Sequence, residues 1–156
     1  MRVIVVGVDG SDGAEVALRF AAEEAALRGA KLRVVCAWQV PTAVYGGVRG
    51  VAADHALGED RARDVAAQAL QEATRLEPGV DRESRAVLGQ PAHVLMQESQ
   101  DADLLVVGSR GLGGFKSLLL GSVGQQCIHH ALCPVVVIPP AREGVLAADR
   151  EGRSSQ

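Results

Sequence analysis

The chain has 156 residues, of which 47% are hydrophobic and 22% charged. This suits one globular domain burying roughly 68–70% of its unfolded surface, and it excludes a wholly disordered chain. Lys and Arg number 16 against 19 acids, and that net charge of -3 advertises no nucleic-acid or anionic-membrane surface.

Residues 3–8 are a near-continuous apolar run, the pattern of a strand covered on both faces. Asp9-Gly10-Ser11-Asp12-Gly13 breaks it, and Asp12 with Glu15 three positions on reads as a helix N-cap. Ala14, Ala17, Leu18, Ala21 and Ala25 then recur at helical spacing, and Gly29 suits the C-terminal stop. Residues 32–38 form a second strand. Residues 39–58, rich in Gly and small side chains, read as a long loop, a type that is often functional. A helix is expected over 59–76, closed by Pro78-Gly79, and a polar strand over 82–88 belongs at a sheet edge. Pro91 opens a third helix that runs to about residue 100. A buried strand over 104–107, a helix over 122–131 and a last strand over 135–138 complete the pattern. Residues 1–140 are thus one domain, followed by a polar tail of low order over 141–156. The strand–helix alternation implies right-handed βαβ units in a doubly wound parallel sheet.

Cys36, Cys127 and Cys133 contain no C-x-x-C pair and make no disulfide framework. The first residues lack a secretory pattern and no stretch is long and apolar enough to span a bilayer, so a cytoplasmic protein is expected. Cys127, His129, His130 and Cys133 invite a zinc reading. One helix end would have to supply all four, and adjacent histidines diverge on a helix, so no metal site is expected there. Trp38 and Tyr45 read as loop-packing residues, while His55 and His93 show no partner in sequence.

The chemistry concentrates between Gly108 and Ser122, where a glycine-rich segment leaves a buried strand and enters a helix. Open α/β sheets bind ligands at the carboxyl ends of their strands, where strand order reverses. A helix start there offers unpaired N–H groups and the positive end of the dipole. Glycines allow close backbone approach to a phosphate, Ser122 can donate to a phosphate oxygen while capping its helix, and Arg110 and Lys116 supply cations. A Walker A loop is ruled out because Phe115 precedes Lys116-Ser117, and G-x-G-x-x-G fails after Gly111-Leu112-Gly113. The spacing instead is G-x2-G-x9-G-S, from Gly108, Gly111, Gly121 and Ser122. The bland alternatives are a surface loop over 108–121, a turn residue at Asp9 and solvated cations at Arg110 and Lys116.

That spacing resembles the nucleotide loop of the ATP-binding branch of the universal stress proteins. Val8-Asp9-Gly10-Ser11, Gly89-Gln90-Pro91-Ala92, the run from Asp103 to Gly111 and the run from His129 to Val137 are similar to further family motifs, in family order over residues 1–139. The resemblance implies an open five-stranded parallel sheet of order 3-2-1-4-5 with helices on both faces, and a ligand crevice between strands one and four. It implies ATP, with Mg²⁺, as the ligand. Gly7, Val8 and Asp9 would lie on the adenosine side, Ala37 near the adenine, and Val107, Gly108, Arg110, Gly111, Gly121, Ser122 and Val123 on the phosphate side. Gly124 stands where the family often has Ser or Thr, so one phosphate hydroxyl is absent. A homodimer through Val135, Val136, Val137 and Ile138 is also implied. The function expected is an ATP-binding stress-response regulator with slow or no hydrolysis, not an enzyme, since no carboxylate is recognisably placed to activate water. A slow ATPase and a ligand-free dimeric interaction module are the alternatives.

Overall fold

The structure is a computed structural model that describes residues 1–40, 48–112 and 119–141, with side chains not described at 48–52. Lys116, Tyr45 and the tail from residue 142 lie outside the described residues. The elements follow in strict alternation: β1 (Val3–Gly7), α1 (Asp12–Arg28), β2 (Lys31–Trp38), α2 (Val48–Leu76), β3 (Arg82–Leu88), α3 (Pro91–Glu98), β4 (Leu104–Gly108), α4 (Ser122–His130) and β5 (Val135–Ile138). The five strands form one sheet of order β3-β2-β1-β4-β5, and every pairing is parallel. This is the doubly wound architecture implied by the sequence.

Period-two alternation along the central strands explains why those strands are apolar throughout. Ile4, Val6, Leu32, Val34, Leu104 and Val106 face one core with α1 and α2, whereas Val3, Val5, Val35, Leu105 and Val107 face a second core with α3 and α4. The helix α1 meets the sheet through Ala14, Ala17, Leu18, Ala21, Ala22 and Ala25, all buried. Small side chains let its backbone sit close to the strands, which suits a core with few aromatics. Gly29 ends α1 in the left-handed conformation (φ 59°), and its N–H bonds back to the Ala25 and Ala26 carbonyls.

Several boundaries differ from expectation, each for a local reason. Ser11, not Asp12, caps α1: its Oγ accepts from the Ala14 N–H at 3.2 Å, and Asp12 is already the first helical residue. Gly121, not Ser122, is the N-cap of α4, with no side-chain cap bond, so the Ser122 hydroxyl is not used for capping. The helix α3 ends at Glu98, before the buried Ser99. The largest difference is α2, which begins at Val48 and takes in half of the segment read as a loop. Alanine is the best helix former, and the extra turns dock on Trp38. His55 meets the Trp38 ring edge-on at 4.7 Å between centroids, and a Cβ on Gly58 would lie 3.1 Å from Trp38 Cε3.

The outer strands β3 and β5 each pair on one side only. On β3 Glu83 and Arg85 join an ion network. Arg33, 8% exposed on β2, bonds Glu83 Oε1 at 2.7 Å, Asp101 Oδ1 at 2.8 Å and the Glu98 carbonyl at 2.7 Å, tying α3 to the sheet. These bonds hold the Glu83 and Asp101 carboxyls below the usual carboxylate range.

Candidate functional site

Strands β1 and β4 are neighbours, yet the chain leaves β1 toward one face and β4 toward the other. Two chain exits that diverge from adjacent strands leave a crevice at their carboxyl ends, the switch point of an open α/β sheet. A cavity of about 330 Å³ occupies that place, within the roughly 300–1,000 Å³ of small-molecule sites. Gly7, Val8 and Asp9 line it from β1, and Ala37 from β2. Val107, Gly108, Arg110 and Gly111 line it from β4 and beyond, and Gly121, Ser122 and Val123 from the start of α4. Every described residue that the sequence assigned to the nucleotide site therefore lines one cavity.

Asp9 is the acid among the described residues of this wall, and its carboxylate ties two loops together. Its Oδ1 accepts the Ser11 N–H at 2.9 Å, positioning the α1 cap, and its Oδ2 accepts the Leu112 N–H at 3.0 Å, across the crevice. That negative charge reaches Cys36, whose thiol is pushed up to about 11, mainly by burial and secondarily by Asp9.

The glycines are spaced for close chain approach. A Cβ on Gly111 would stand 2.5 Å from Asp9 Oδ2, one on Gly108 would stand 2.9 Å from the Gly13 carbonyl oxygen, and one on Gly13 would stand 2.8 Å from the Arg110 carbonyl oxygen. The first turn of α1 and the loop after β4 thus touch backbone to backbone. Gly10 adopts φ 83°, a left-handed turn that releases the chain from β1 into α1. At the other side, the Gly121 N–H donates to the Ser109 carbonyl at 2.6 Å and the Ser109 N–H donates to the Ile138 carbonyl at 2.8 Å, so α4 is moored to β4 and β5.

Sequence reasoning missed Ser11, Val35, Leu95, Ser109 and Leu112, which also line the cavity. Val35 was recoverable, since it lies two residues before Ala37 on the same face of β2. Leu95 was not, because it arrives from α3 by packing on Gly7, where a Cβ would be 2.7 Å from Leu95 Cδ1. Of the four residues weighed and set aside as a zinc set, Cys127 is buried in the second core, while His129 and His130 are exposed. Among the described residues, no three His, Cys, Asp or Glu side chains converge as a metal cluster. No helix of the described residues is long and apolar enough to cross a membrane.

A doubly wound parallel sheet with a cavity and a helix N-terminus at its switch point defines an open-sheet α/β domain of the class that places its sites at the carboxyl ends of the strands. The chain belongs to the universal stress protein family, whose model matches residues 1–139. It is 37% identical over 143 residues to a universal stress protein of Mycobacterium tuberculosis, covering 91% of this chain and 46% of the relative. It therefore spans about half the length of the curated relatives it matches first. Among solved structures, a universal stress protein in complex with cAMP is 30% identical with a TM-score of 0.65, covering 90% of this chain and 98% of that one. The Archaeoglobus fulgidus universal stress protein in complex with dAMP is likewise 30% identical with a TM-score of 0.65, covering 88% and 98%.

Proposed function

We propose that this chain binds an adenine nucleotide in the switch-point cavity, ATP carried with Mg²⁺, and serves as a cytoplasmic nucleotide-binding regulator of a stress response. The observation that carries this reading is convergence. Three separate stretches, at 7–9, 107–111 and 121–123, line one cavity that includes four of their glycines and the N-terminus of α4. Solved relatives of the same fold that hold cAMP and dAMP support adenine as the base. Asp9 spends both oxygens on backbone N–H groups, which fits Mg²⁺ arriving on the nucleotide's own phosphates rather than in a protein cage. With that carboxylate so engaged, no other Asp, Glu or His among the described residues lines the cavity to activate water. Turnover should fall far below the median enzyme value of about 10 per second.

Calorimetric titration with ATP, AMP and cAMP tests the reading and ranks the phosphates. Gly121→Val is the matched variant: Gly121 lines the cavity, and a Cβ there already lies 3.3 Å from the Ser109 carbonyl oxygen, so a branched side chain crowds the cavity wall at the α4 N-cap. Binding should be lost while the circular dichroism spectrum is kept. A parent protein that binds none of these nucleotides refutes the assignment. Turnover at enzyme-like rates that disappears in Gly121→Val would establish an ATPase instead.

A further inference from the structure

Ser109 follows β4 directly and is 5% exposed. Its backbone is engaged on both sides, by the Ile138 carbonyl and the Gly121 N–H. Its side chain is not: Oγ is buried and has no hydrogen-bond partner among the described residues. The large majority of buried polar side-chain atoms in folded proteins are paired, and an orphan calls for a cause. Its location supplies one. Ser109 lines the cavity between Gly108 and Arg110, and its own carbonyl fastens the N-cap of α4. The first-turn N–H groups of a helix have no intrahelical acceptor and carry the positive end of the dipole. Turned toward that terminus, the Ser109 hydroxyl adds a donor to the same preference for an anion.

We propose that the Ser109 hydroxyl is a ligand of the bound nucleotide, donating to a phosphate oxygen at the N-terminus of α4; this rests on the nucleotide reading above. In the ligand-free protein, Oγ is shielded, and engagement takes a change of χ1 from one staggered well to another. The pinned backbone confines that change to the side chain. Ser109 thereby supplies a hydroxyl in addition to that of Ser122, in a chain where Gly124 supplies none.

Titration of adenosine, AMP and ATP into the parent, Ser109→Ala and Ser109→Cys, with ligand-free thermal denaturation of each, tests this. The parent should bind AMP and ATP, and Ser109→Ala should bind both about tenfold more weakly or worse, the loss expected for a hydrogen bond to a charged group. Adenosine binding should be unchanged. The ligand-free Tm of Ser109→Ala should equal or exceed that of the parent, because an unpaired buried hydroxyl has been removed. Ser109→Cys, which replaces the hydroxyl with a weak donor, should follow Ser109→Ala. Unchanged affinity for AMP and ATP overturns the assignment, as does an equal loss for adenosine. A fall in the ligand-free Tm overturns it as well, since the hydroxyl would then be held by the protein itself. A parent that binds none of the three ligands defeats the nucleotide reading and this assignment together, and that outcome is recognised from the parent alone.

Discussion

Adding a hydroxyl at Gly124 should tighten phosphate binding. Gly124 is buried in the first turn of α4 and lines the cavity. A Cβ there would meet Leu120 Cδ1 at 2.7 Å and Leu120 Cγ at 3.6 Å. The obstruction is the tip of a flexible side chain, so a shift of Leu120 costs about 0.5–1.5 kcal/mol. Replacing a helical glycine by serine returns roughly 0.5 kcal/mol of helix propensity. Ligand-free stability should therefore stay within about 1 kcal/mol of the parent, or about 2–4 °C in Tm for a domain of this size. These terms act on the free and bound protein alike and leave the new hydrogen bond as the difference between them. A bond from a hydroxyl to a charged phosphate contributes about 1.5–3 kcal/mol, which lowers the Kd by about tenfold to a hundredfold. Calorimetric titration of ATP into the parent, Gly124→Ser and Gly124→Ala reads the effect, the alanine variant isolating the added Cβ. If Gly124→Ser binds ATP no better than Gly124→Ala while both melt near the parent, the first turn of α4 does not meet the phosphates.

Arg33→Met should lower Tm by several degrees at pH 7. Severing a buried ion pair costs about 3–5 kcal/mol, but the Asp101 side chain is 64% exposed, so about 1–2 kcal/mol is expected. The sign with pH follows from the depressed Glu83 and Asp101 carboxyls. Their contribution is complete above the ordinary carboxylate range near pH 4 and is lost as pH falls below it. The gap between parent and variant in calorimetric scans should close toward pH 3, and a gap that widens there contradicts the network. For assembly, the apolar edge of β5 should pair with a second copy, giving a dimer in sedimentation velocity at micromolar concentration. Val136 packs against the first core, so the disrupting charge belongs outside it; Leu132→Glu, at a position 82% exposed just before β5, should weaken the dimer. A monomeric parent ends that proposal.

Much of the site was legible because its determinants are local in sequence. The spacing of Gly108, Gly111 and Gly121, the break after β1 and the helix opening at Ser122 can each be read within a few residues, and one cavity contains them all. The wrong boundaries share a different property. Ser11 caps α1 beside an Asp9 side chain that holds its N–H, and α2 packs on Trp38 through His55, so both depend on side-chain contacts that helix propensity does not report.

The amino-acid sequence by itself determined the alternation of elements and the burial of β1 and β4, because a strand covered on both faces must be apolar throughout. It also determined the glycine spacing at the mouth of the sheet. The tertiary structure alone decided why those glycines must be glycines. Gly108 and Gly111 are pressed against Gly13 and Asp9, residues about a hundred positions earlier in the chain, where any side chain would collide. It likewise decided that Ser109 should hold a buried hydroxyl with no partner, because solvent exposure and hydrogen-bond satisfaction are properties of the packed chain and not of any segment within it.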